Sequence, residues 1–146
     1  MNGIWRSEFN KVVEKAIQTY AEKYHQLTTD VSIGIVFAAD AKTITYHTLV
    51  GNKLKETVRL VEILHGPGSK LDFTGKSLII PGFLSKALTR LSAQYGIARE
   101  RVKVLFKWDE GQIYSFLMNG PALDRILGDE DFLTDDQVAI DQMEES

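Results

Sequence analysis

The sequence predicts an α+β fold, a single mainly antiparallel sheet of four or five strands with helices packed on it, and three observations carry that expectation. Residues 4–25 repeat apolar side chains at three-and-four spacing, residues 31–37 and 101–108 alternate with a period of two, and each alternating run is followed by a turn and a second β-rich run. The expected order is helix, hairpin, ambiguous segment, helix, hairpin, short helix.

The first helix follows from Trp5, Phe9, Val12, Val13, Ala16, Ile17, Tyr20, Ala21 and Tyr24, separated by Lys11, Glu14, Lys15, Glu22 and Lys23. After Thr28-Thr29-Asp30 the period changes, and Val31, Ile33, Ile35 and Phe37 alternate with smaller residues; Gly34 among them marks a bulge or a close backbone approach. Asp40-Ala41-Lys42 supplies a turn, Thr43 to Val50 returns as a β-branched strand, and Gly51-Asn52 ends it.

Residues 54–64 fit a helix through Leu54, Val58, Val61 and Leu64 and a strand through Val58, Leu60 and Leu64, with helix slightly the better match. A glycine-containing loop runs from His65 to Gly75. The next helix starts near Ser77 or Pro81, because proline is tolerated in a first turn, and it buries Ile80, Phe83, Leu84, Ala87, Leu88 and Leu91. Gly96 suits its left-handed cap, and Ile97 suits the apolar contact that accompanies one.

Val102, Val104, Phe106 and Trp108 define one face of the following strand. Asp109-Glu110-Gly111-Gln112 turns the chain into a strand over 113–118. Asn119-Gly120-Pro121 breaks that strand, and Leu123, Ile126 and Leu127 suggest a short helix ending at Gly128. The helix–hairpin unit thus occurs twice, although residues do not repeat at a fixed period.

Charge divides the chain more sharply than its net value of -3 suggests. Asp129, Glu130, Asp131, Asp135, Asp136, Asp141, Glu144 and Glu145 stand in the last 18 residues with no Lys or Arg among them, so the body over 1–128 holds all 17 basic residues and is net positive. The division expected is one α+β domain over 1–128 and an acidic tail over 129–146. That tail either folds back loosely towards Arg101, Lys103 and Lys107 or docks as a helix through Phe132, Leu133, Val138, Ile140 and Met143.

Composition excludes several classes. The longest run without Asp, Glu, Lys or Arg, Gly111 to Leu123, is 13 residues, short of the roughly 20 that a membrane-spanning helix needs. Arg6, Glu8, Lys11 and Glu14 interrupt the place of an export signal, and with no cysteine there is neither a disulfide framework nor a thiolate site. A reducing cytoplasm is the expected compartment.

Motifs for chemistry are weak. Thr74-Gly75-Lys76-Ser77 has the ending of a phosphate-binding loop, but Lys70 stands where its first glycine belongs, and Pro81 follows where an uninterrupted helix should run. His25, His47 and His65 lack the spacing that would put two imidazoles on one metal. Glu56, Glu62, Asp72 and the Asp109-Glu110 turn are isolated acids, and no serine-nucleophile signature occurs. No cofactor, no metal and no catalytic residue is expected, and no motif carries a family resemblance.

The second hairpin carries the most information. Placing Trp108 opposite Ile113 aligns Lys107 with Tyr114, Leu105 with Phe116 and Lys103 with Met118, so one face mixes cations with aromatic and apolar side chains. The opposite face is apolar too, so both faces need cover, which implies a protein partner or a homodimer. The leading expectation is a small non-enzymatic protein-binding or adaptor domain acting through a sheet face or helix groove. Arg101, Lys103, Leu105, Lys107, Tyr114 and Phe116 are its contact residues. The alternative is a single-stranded nucleic-acid-binding domain with an autoinhibitory acidic tail.

Overall fold

The computed structural model describes residues 2–38, 40, 43–51, 53–69, 75–119 and 122–127, with side chains over 9–38, 40, 43–51, 53–69 and 80–118. Asp72, the glycine-loop residues 70–74 and the acidic tail over 129–146 lie outside the described residues.

Helix α1 spans Asn2–Tyr24 and buries Phe9, Val13, Ala16, Ile17, Tyr20 and Ala21. It ends at His25, whose φ of 56° is left-handed, and the Gln26 amide donates back to the Ala21 carbonyl at 2.9 Å. A single 3₁₀ turn, Thr28–Asp30, then leads into β1, Val31–Phe37. Strands β2, Ile44–Val50, and β3, Lys53–Val58, continue as an antiparallel meander.

The ambiguous stretch therefore divides: its first part is an edge strand, and its second part is the short helix α2, Leu60–His65. Glu62 fixes that helix by accepting from the Arg59 amide at 3.1 Å and the Gly68 amide at 3.2 Å. A glutamate at the third helical position that accepts from the amide before the helix marks where a short helix starts.

Helix α3 spans Gly75–Tyr95, so Pro81 lies inside it and not at its start. Its end is as expected: Gly96 has φ 65°, and the amide of the buried Ile97 donates to the Ser92 carbonyl at 3.0 Å. A second 3₁₀ turn, Arg99–Arg101, precedes β4, Val102–Asp109, and β5, Gln112–Asn119, which a Glu110-Gly111 turn connects with both residues at positive φ. Residues 122–127 form a sixth strand, β6, Ala122–Leu127, and not the short helix the sequence suggests. β5 offers these residues a whole edge of unpaired backbone groups, which strand pairing satisfies.

The class is as predicted, α+β with helices on one antiparallel sheet, and the edge strand β6 raises the sheet to six strands in the order β3-β2-β1-β4-β5-β6. The main core joins α1, α2 and α3 to one face through Val31, Ile33, Ile35, Phe37, Ile44, Tyr46, Val58, Val102, Val104, Phe106 and Leu117. A narrow gap in it is lined by Phe9, Val13, Ile35, Tyr46, Leu84 and Phe106 among others.

The chain is an architectural repeat. Helix, left-handed cap, 3₁₀ turn and three-stranded meander occur twice, with Tyr24 corresponding to Tyr95, His25 to Gly96, Asp30 to Arg101 and Val31 to Val102 at a constant offset. Even the irregularity recurs, between Thr48 and Leu49 against β3 and between Leu117 and Met118 against β6. The shorter turn between β4 and β5 changes the offset part-way, which hides the period in the sequence.

Candidate functional site

Side chains on the sheet face away from the helices form a second cluster. Leu49, Leu105 and Met118 are buried in it and Phe116 packs against it, all from strands; no described helix residue contributes. The residues singled out in the second hairpin come together here in the expected register, Leu105 opposite Phe116, Lys107 opposite Tyr114 and Lys103 opposite Met118. Lys107 sets its ammonium 5.6 Å from the Phe116 ring centre, a cation–π contact, while Tyr114 is 38% exposed. Arg101 stands apart, exposed in the 3₁₀ turn before β4. Leu54, 56% exposed on β3 opposite Leu49, extends the apolar surface to the far edge.

Sequence reasoning missed the middle of this face. Gly34 of β1 pairs with His47 of β2 on one side and Leu105 of β4 on the other. β1 pairs without a break in register, so Gly34 marks no bulge. Its missing side chain leaves room for its neighbours: a Cβ there would stand 3.0 Å from Leu105 Cδ2, 3.0 Å from Lys103 Cε and 3.2 Å from Leu49 Cδ1.

The Lys103 stem therefore lies over Gly34, towards His47. Burial, and after it the Lys103 charge, lowers the imidazole pKa of His47, and burial lowers that of Lys103. Ser32, two residues along β1 on the same face, is 1% exposed, and among the described residues neither its hydroxyl nor His47 Nδ1 has a hydrogen-bond partner. The notch around Gly34, whose own space Leu105, Leu49 and the Lys103 stem fill, thus gathers hydrogen-bonding and cationic groups beside apolar ones. The outward positions of β1, β2, β4 and β5 hold one carboxylate, Asp109, at the hairpin end.

The described acids singled out in the sequence have other roles. Glu56, on the helix side, accepts a hydrogen bond from the Tyr24 hydroxyl and meets the Lys23 ammonium at 3.0 Å; Thr48 then donates to the Tyr24 oxygen at 2.6 Å. The Tyr24 hydrogen bond is the largest cause holding Glu56 below the usual carboxylate range. Tyr20 beside it, fully buried with a hydroxyl that has no partner among the described residues, is pushed up to about 12, mainly by burial. Glu62 caps α2, and Asp109 and Glu110 shape the β4–β5 turn.

His25 ends α1, His65 ends α2 and His47 sits mid-sheet, so the histidines do not converge. Among the described residues no group of three His, Asp or Glu could hold a metal ion, and no helix is long and apolar enough to cross a membrane. The chain matches no known family, no curated protein and no solved structure.

Proposed function

We propose that this chain is a small non-enzymatic protein-binding module, acting in the reducing cytoplasm, that holds an acidic, apolar-rich segment of a protein partner on the outer face of its sheet. The observation that carries the reading is the composition of that face. Leu49, Leu105, Phe116 and Met118 form an apolar centre flanked by Lys103 and Lys107. Apolar contacts of this kind supply affinity, and surrounding charge selects the partner and speeds its approach.

A second copy of the chain is a self-partner that the same face would serve. A second reading, single-stranded nucleic acid, draws on the exposed Tyr114 beside Lys107. It is the weaker one, because the Phe116 ring already carries the Lys107 ammonium.

Panning a displayed random-peptide library on the immobilised full chain tests the proposal. Peptides alternating acidic and apolar residues should be enriched on the wild-type chain and lost on a Lys103→Glu/Lys107→Glu variant. Failure to enrich any sequence both on the wild-type chain and on a same-length chain whose eight tail acids are changed to Asn or Gln, or retention of the same peptides by the lysine variant, overturns it.

A further inference from the structure

We infer that the chain's own acidic C-terminal segment, residues 129–146, occupies the outer face in cis, with one of its carboxylates beside Lys103, His47 and Ser32. This rests on the outer face being the binding surface and adds its regulation: a partner must displace the tail.

Chemistry at the notch is the first argument. Among the described residues Ser32 Oγ and His47 Nδ1 are buried without partners, and the Lys103 stem lies against Gly34 with its charge acting on His47. Buried polar groups are nearly always satisfied, and a carboxylate is the group that accepts from a hydroxyl, an ammonium and an imidazole N–H together. None of the residues paired with β1 at the notch supplies one.

Charge complementarity is the second. Eight acids and no Lys or Arg lie in the segment, interleaved with Phe132, Leu133, Val138, Ile140 and Met143, and this mixture mirrors the lysine-and-apolar mosaic of the face.

The third is where the described chain ends. Leu127, the last residue of β6, pairs with Ser115 of β5, the strand that carries Tyr114, Phe116 and Met118. From β6 to β1 is three strand spacings, about 15 Å, which roughly five extended residues cover. A segment tethered so close is present at roughly millimolar effective concentration, enough to hold an individually weak site.

Imidazole titration by NMR tests this on the full chain, comparing wild type with a same-length variant whose eight tail acids are changed to Asn or Gln. Among the described residues the groups facing His47 are Lys103 from β4 and the uncharged Gly34 and Thr57 on its flanking strands. A seated carboxylate should therefore place the wild-type His47 midpoint about one unit above that of the variant at low salt. The difference should persist on dilution, while His25 and His65 report on the rest of the fold.

Equal His47 midpoints overturn the proposal, as does a difference that vanishes on dilution, which assigns the tail to a second copy. A second measurement decides the matter if the neutralised variant does not fold. The chain has no cysteine, so a Val36→Cys/Ile140→Cys pair oxidised with diamide should close an intramolecular disulfide about tenfold faster than a Lys11→Cys/Ile140→Cys pair on the helix side. Equal rates overturn the proposal. Acidic peptides that bind the face while both tests fail would leave the binding surface standing and remove the tail alone; if no peptide binds either, both readings fall.

Discussion

Gly34 of β1 and Leu105 of β4 face each other at the middle of the sheet, and they are also counterparts of each other in the two halves of the chain. The approximate two-fold axis relating the halves therefore passes between them. Two large side chains cannot share a point on such an axis, so one half supplies a leucine and the other a glycine. Leu105, 2% exposed, fills the place of both.

Replacing Gly34 with Ala tests that account. Its backbone is not left-handed, so the cost comes from the 3.0 Å approaches to Leu105 and Lys103. Overpacking of this kind costs about 1–3 kcal/mol, more than alanine gains from its better backbone entropy. Urea denaturation should show Gly34→Ala destabilising the wild-type chain and doing so much less in a Leu105→Ala background. Additive effects would mean that the two positions do not share the space.

How much of this was legible in the sequence depends on how locally each feature is determined. The register of β4 and β5 follows from strict alternation at Val102, Val104, Phe106 and Trp108 and a two-residue turn, so Lys103, Leu105, Lys107, Tyr114 and Phe116 could be placed on one face in advance. The edge strands were not legible. β3 is Lys-Leu-Lys-Glu-Thr-Val with one buried residue, because an edge is kept polar to prevent unwanted pairing, and that removes the alternation by which strands are recognised. Ser32 and His47 were missed for a different reason: their neighbourhood depends on β1 pairing with β4, which lies far along the chain and leaves no trace in local periodicity.

Acid stability should depend on Tyr24. Glu56 is held below its ordinary pKa in the folded chain, first by the Tyr24 hydrogen bond, so its contribution is complete above the unfolded carboxylate pKa and is lost as pH falls through the folded one. Tyr24→Phe should lower stability near neutral pH by about 1 kcal/mol and flatten the fall between neutral and acid pH. Thermal melts across that range check it; parallel curves for the two proteins would assign the acid limb to other carboxylates.

Self-association through the outer face should be suppressed in the wild-type chain and released when the tail acids are neutralised. Phe116→Glu in the neutralised chain should then restore a folded monomer, because Phe116 lies at the border of the cluster. Leu105 is the wrong position for this test: at 2% exposure a carboxylate there would be buried and would unfold the sheet. Sedimentation over a micromolar range reads the outcome. A neutralised chain that stays monomeric at every concentration reserves the face for foreign partners.

A fluorescent single-stranded oligonucleotide titrated into wild-type and tail-neutralised chains, at low and physiological salt, separates protein from nucleic acid as the ligand of the face. Nucleic-acid affinity comes chiefly from neutralised phosphates and stacked bases, and it falls steeply with salt in proportion to the number of phosphate contacts. The face offers few of either: Lys103 is half-buried along Gly34, Lys107 is engaged over Phe116, and Tyr114 is its only exposed aromatic among the described residues. The wild-type chain should therefore bind no oligonucleotide at physiological salt. The neutralised chain, having lost eight negative charges, should show at most weak binding that disappears between the two salt concentrations. Tight binding by the neutralised chain that survives physiological salt and is abolished by Tyr114→Ala would reverse this assignment, because stacking on Tyr114 would then contribute affinity that charge alone does not.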